Sequence, residues 1–142
     1  MLIRMLYVST AVGPVTTTVT GTILRSAQGF NADNGITGVL CQGQGVWLQA
    51  LEGPRSEVNA LYVRIAADKR HKNVQLIAVQ DITQRRYGAW AMAHVKLTDA
   101  DPMLEVNSSE TAFDPYAVTG EHVMARIDAM IAAGQVMGKP VV

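Results

Sequence analysis

Apolar positions along this chain follow two rhythms. Leu2 to Ser9 runs almost unbroken, with Tyr7 in phase with Ile3 and Met5, which predicts a strand ended by Ala11-Val12-Gly13-Pro14. Val15, Val19, Ile23, Ala27 and Phe30 then recur every three or four residues, the stripe of an amphipathic helix. Thr16, Thr17, Thr18, Thr20, Gly21 and Thr22 are poor helix formers, so tertiary packing has to hold this helix. Asp33-Asn34-Gly35 turns the chain into an apolar strand from Ile36 to Cys41. Gly43-Gln44-Gly45 marks a hairpin, and Val46 to Glu52 is the returning strand.

Gly53-Pro54 opens a second helix, since proline suits a first helical turn, and its stripe of Val58, Leu61, Tyr62 and Ile65 runs to about Ala67. Asn73 to Ile82 predicts a fourth strand, and Trp90 to Leu97 a fifth after the break at Tyr87-Gly88. Asp101-Pro102 starts a short segment with Met103, Leu104 and Val106. Thr119 then reads as the N-cap of a helix bearing Val123, Met124, Ile127, Met130 and Ile131, with Gly134 as its stop.

This order predicts an α+β fold: a ferredoxin-like β-α-β-β-α-β sheet with an added fifth strand. Right-handed crossovers put the first two helices on one face of the sheet. The strands near Val39 and Leu48 are apolar on both sides, so the C-terminal helices are expected to cover the other face. Residues 1–97 form the expected main domain and residues 98–142 a helical extension packed on it. Too few residues follow Val95 for a further output domain, which points to a short stand-alone protein.

Composition narrows the function by exclusion. Charged residues make up 17% of the 142, with twelve acidic and twelve basic, so no basic footprint for nucleic acid or an anionic membrane arises. The single cysteine, Cys41, excludes an internal disulfide and a multi-cysteine zinc site, and reads as a small buried hydrophobe. His71, His94 and His122 lack a metal-binding spacing, and no phosphate loop or nucleophile elbow occurs; neither a metal nor an enzyme is expected. Met1 to Leu6 lacks a signal-peptide pattern, and no apolar run approaches the ~20 residues that span a bilayer, so a cytoplasmic location is expected.

One polar residue stands out against this background. Gln49 interrupts the apolar strand Val46-Trp47-Leu48-Gln49-Ala50-Leu51, and burying its carboxamide unpaired costs roughly 1–3 kcal/mol. Its two donors and one acceptor can bridge two groups at once. Tyr7 and Asn31 are candidate partners in the same cavity. By residue type alone they make either a structural tie between helix and sheet or a ligand site.

Taken in order, Tyr7-Val8-Ser9, Asn31, Gly35-Ile36-Thr37-Gly38, Leu48 to Pro54, Asp68-Lys69-Arg70-His71, Arg86 and Trp90-Ala91-Met92 resemble the BLUF domain, a blue-light sensor that uses a flavin. The likeness runs from about Leu2 to Val95. It implies a flavin, FAD or else FMN or riboflavin, held non-covalently between the two helices. It implies that Tyr7 gives an electron and a proton to the excited flavin, and that Gln49 bridges Tyr7 and the flavin's N5/O4 edge. Asn31 would hold the pyrimidine edge, Ser9 would support Tyr7, and Ile23 and Ile65 would flank the ring.

Arg70 and His71 would lie near the ribityl or phosphate side, or else Lys69 to Lys72 merely complements the end of the second helix. Trp90 and Met92 would relay the signal, with either of them beside Gln49. Phe30 departs from the polar residue often found there, and the Thr-rich first helix and Ala50 are further departures. The implied output is a changed contact with a downstream protein partner, and the apolar C-terminal helices suggest a homo-oligomer. The rival reading is a ferredoxin-like small-ligand binder or interaction module without photochemistry.

Overall fold

The computed structural model describes residues 1–14, 16–43, 45–96, 116–132 and 136–137. Along the chain run β1 (Leu2–Ala11), α1 (Thr17–Asp33), β2 (Thr37–Gly43), β3 (Val46–Pro54), α2 (Arg55–Ala66), β4 (His71–Ile82), β5 (Ala93–Lys96), α3 (Gly120–Ala132) and β6 (Val136–Met137). They build a sheet of order β4-β1-β3-β2-β5-β6. The first four strands pair antiparallel in the ferredoxin-like arrangement, and β5 joins β2 in parallel.

Strand alternation sorts the core into two layers. Ile3, Met5, Tyr7, Leu40, Trp47 and Leu51 face α1 and α2, which contribute Ile23, Ala27, Val58 and Leu61. Leu6, Val39, Cys41, Leu48, Ala50 and Val95 face the other way and are covered by Val123, Met124, Ile127 and Met130 of α3. Both faces are therefore buried, as the doubly apolar central strands require. Cys41 is fully enclosed.

Local chemistry sets the ends of these elements. Gly35 has φ of 67°, a left-handed conformation that glycine adopts without a Cβ penalty. At Gly38 a Cβ would stand 2.1 Å from the Ala50 carbonyl oxygen, so only glycine allows β2 and β3 to approach there. Thr119 caps α3, its hydroxyl accepting from the His122 N–H at 3.2 Å. Despite its weak helix formers, α1 is held by packing of Ile23, Leu24, Ala27 and Phe30 on the sheet.

Several elements differ from the sequence expectation. The fifth strand starts at Ala93, not Trp90. The carbonyls of Trp90, Ala91 and Met92 accept from the Gly38 N–H, the Asn31 amide and the Gln28 amide, which takes the last two out of any ladder. β4 begins earlier, at His71, because it stays paired with β1 to Ala11. Pro54 ends β3 and precedes α2 instead of lying in its first turn. A sixth strand of two residues pairs with β5, and nothing local in Val136-Met137 announces it. The expected segment at Met103 to Val106 and the stop at Gly134 lie outside the described residues.

Candidate functional site

A cavity of about 170 Å³ opens between α1, α2 and the sheet. Its floor carries Tyr7 from β1 and Gln49 from β3, directly paired residues of adjacent antiparallel strands. Their odd-numbered register puts both side chains on the helix face. The Tyr7 hydroxyl donates to Gln49 Oε1, and the Gln49 amide nitrogen lies 3.3 Å from Met92 Sδ. Tyr7 is 3% and Gln49 5% exposed, so this bonding replaces water for both.

The Tyr7 phenol is pushed well above its ordinary range, first by burial and then by the neighbouring Tyr62 and Asp68. It is therefore a neutral O–H donor throughout physiological pH. The ring meets Tyr62 edge-on, with centroids 5.8 Å apart, which fixes its orientation from α2.

Asn31 comes from α1, two residues before its end, and is fully buried. Its amide nitrogen donates to Ala91 O at 2.8 Å, whereas its Oδ1 has no partner among the described residues. The indole N–H of Trp47, another cavity residue, is likewise unpaired there. Unpaired buried polar atoms are rare in folded proteins and point to a missing partner. An acceptor and a donor both left open, between walls that include Ile23, Ala27, Leu61 and Ile65, suit a flat heteroaromatic ring with its own polar edge.

Basic side chains line one side of the cavity. Arg64 stacks over Phe30 with its guanidinium 4.5 Å from the ring centroid, joining α2 to α1. Arg70 is paired with Asp68 at 2.5 Å, and this bond holds the Asp68 carboxyl below and the Arg70 guanidinium above their usual ranges. His71 contacts the Ile65 carbonyl through Nε2 and the Ser9 hydroxyl through Nδ1 at 2.8 Å. The Ser9 hydroxyl, two residues along β1 from Tyr7, thus bonds to His71.

Of the residues singled out in the sequence, Tyr7, Ile23, Asn31, Gln49, Ile65, Arg70 and His71 line one cavity, and Met92 reaches it through Gln49. Trp90 does not: it packs with the opposite core layer, beside α3. Sequence reasoning missed Arg64 and Asp68 as cavity residues. Arg64 falls beside Ile65 in a helix and carried no motif; Asp68 lay within the Asp68-Lys69-Arg70-His71 segment, where only Arg70 and His71 were given a role.

The family model described as "Sensors of blue-light using FAD" matches residues 2–93. The chain belongs to the BLUF family. It is 39% identical over 88 residues to the photoactivated adenylate cyclase subunit alpha of Euglena gracilis, covering 62% of this chain and 9% of that one. The chain thus spans about a tenth of the length of the curated relatives it matches. The structure described as BlsA ground state superposes with a TM-score of 0.84 at 26% identity, over 95% of this chain and 91% of that one. BlrB, a BLUF protein in its dark state, gives a TM-score of 0.74 at 27% identity, over 94% and 96%.

BLUF domains are blue-light sensors that bind a flavin and signal to effector domains or partners. The cavity fits that cofactor. The open Asn31 oxygen matches an N–H on the pyrimidine edge, the aliphatic walls match the ring faces, and the basic side chains match a polar tail. Among the described residues no group of three or more potential metal ligands occurs, and no helix is long and apolar enough to cross a membrane.

Proposed function

We propose that this BLUF chain senses light through the Tyr7–Gln49 pair and passes the change through Met92 toward α3 and a downstream protein. The observation that carries the reading is the hydrogen bond from Tyr7 to Gln49, with the amide nitrogen of Gln49 turned to Met92. A bound flavin would supply the light absorption and the site for the electron. Tyr7 would release that electron together with its phenolic proton, the proton passing by way of Gln49 Oε1 to the flavin, because a buried phenol cation is costly. Gln49 has both donor and acceptor atoms, so it reverses its orientation or tautomer and offers a changed hydrogen bond to the ring edge.

The other residues hold and position. Asn31 keeps the pyrimidine edge through Oδ1, and Ile23 and Ile65 flank the ring. Arg70 and His71 serve the ribityl or phosphate side, with Ser9 fixing the His71 ring. FAD is the preferred form; FMN and riboflavin share the ring contacts and differ only toward the basic side chains.

Residues 1–97 are the sensory unit and residues 98–142 its extension, which acts in the cytoplasm by altering a protein contact and catalyses no reaction of its own. Half-exposed Leu76 and Val79 on the edge strand β4 support self-association. Absorption spectra of the purified protein before and after blue illumination test the reading. A flavin spectrum that shifts slightly red and recovers in darkness is expected; bound flavin without a reversible shift overturns it.

A further inference from the structure

Glu52 is a fully buried carboxylate that the photochemistry does not use. It lies on β3 three residues beyond Gln49, opposite Arg4 of β1 and on the α3 face of the sheet. Arg4 meets its Oε2 through Nε and through a terminal nitrogen, each at 2.8 Å. The Arg86 backbone N–H donates to the same oxygen at 2.9 Å, and the Tyr87 N–H to Oε1 at 2.5 Å. A carboxylate accepts and never donates, so these converging donors suit its charged form and no other side chain of that size.

The turn held this way runs between β4 and β5, and its two sides reach different parts of the molecule. Arg85 secures its start, donating to Thr37 Oγ1 at 2.9 Å and to the Gly35 carbonyl at 2.7 Å. On the α3 side, Tyr87 OH donates to Asp128 at 3.3 Å and Arg86 pairs with the same carboxylate at 3.5 Å. Five residues after Tyr87 the segment presents Met92 to Gln49. A single short stretch, residues 85–92, therefore touches both the light-sensing amide and the covering helix.

We infer that Glu52 is a positioning residue of the photoresponse. Its carboxylate clamps the Arg86–Tyr87 turn so that a change at Gln49, felt by Met92, is delivered to Asp128 on α3 and not lost in slack of the loop. The inference rests on the proposed photochemical reading.

The test is Glu52→Gln in the full chain with flavin bound. The amide sets an NH2 group against donors that need an acceptor, loosening the turn. The light-induced red shift is expected to persist, because Tyr7 and Gln49 are untouched. Dark recovery is expected to quicken about tenfold, the effect of one charge-assisted hydrogen bond on a barrier. The light-minus-dark difference in hydrogen exchange of α3 is expected to vanish.

A variant that is merely less heat-stable, with recovery and the α3 difference unchanged, overturns the inference. Should the variant not fold, infrared difference spectra decide, taken on ¹³C-glutamate protein in which Glu57, Glu105, Glu110 and Glu121 are replaced by Gln so that Glu52 alone carries the label. A light-induced shift of a glutamate carboxylate band supports the clamp, and no such band overturns it. A wild-type protein with no reversible red shift overturns the photochemical reading and this inference together; a red shift with a silent Glu52 overturns the inference alone.

Discussion

The amide nitrogen of Gln49 lies 3.3 Å from the sulfur of Met92, while its oxygen accepts the Tyr7 hydroxyl. The carboxamide is thus poised between a good hydrogen-bond partner and a weak one. Thioether sulfur is a poor acceptor, so little energy holds the amide nitrogen in place. Turning the group costs less here than it would against a carbonyl.

Replacing Gln49 by Leu removes the bridge and leaves the Tyr7 hydroxyl buried without its acceptor. The variant is expected to keep flavin but to show no light-induced red shift, and to lose about 1–3 kcal/mol of stability. Paired absorption spectra and denaturant titration measure both. A photocycle like the wild type's would refute the role assigned to Gln49.

Met92 and Trp90 sit on opposite sides of the sheet and should respond differently to truncation. Met92 is 1% exposed, so Met92→Ala is expected to cost about 2–5 kcal/mol and to change dark recovery of the flavin spectrum. Trp90→Ala should leave the dark spectrum unchanged and weaken the packing of α3, seen as faster hydrogen exchange in that helix. The reverse pattern would place Trp90, not Met92, beside Gln49.

Asn31→Ala removes the unpaired Oδ1 and the bond to Ala91 O. Flavin affinity is expected to fall at least tenfold, equivalent to about 1.4 kcal/mol. Fluorescence titration of the flavin-free protein measures it, and unchanged affinity would remove Asn31 from the cofactor site.

Two buried phenols are expected to weaken the fold at alkaline pH. Tyr7 and Tyr87 are both raised above the ordinary phenol value of 10.0, chiefly by burial. A folded-state value raised above the unfolded one gives stability that is complete below pH 10.0 and declines as pH rises toward the folded value, because the unfolded chain ionises first. Unfolding free energy is therefore expected to fall steadily above about pH 10. Tyr87→Phe should flatten part of that slope in chemical denaturation, and an unaltered slope would show that its phenol is not responsible.

Much of this was legible in the residues. Strand alternation placed Tyr7 on the same face as Ile3 and Met5, and Gln49 with Trp47, because a period of two depends only on the chain itself. Three-four spacing located α2 and α3 for the same reason. Asn31 was reachable as a polar residue close to a helix end, and the ordered motifs marked the family.

Nonlocal bonding decided the rest. Whether Trp90 or Met92 turns to Gln49 depends on carbonyls captured by Asn31 and Gln28 from α1, which no periodicity within residues 90–92 encodes. Arg4 and Glu52 lie far apart along the chain and nothing local joins them; the pairing of β1 with β3 sets them opposite each other. By itself the sequence determined the rhythm of each segment, since local geometry follows local pattern. Only the tertiary structure decided which distant groups would satisfy one another, since a buried charge or carbonyl takes whatever partner the assembled fold brings within reach.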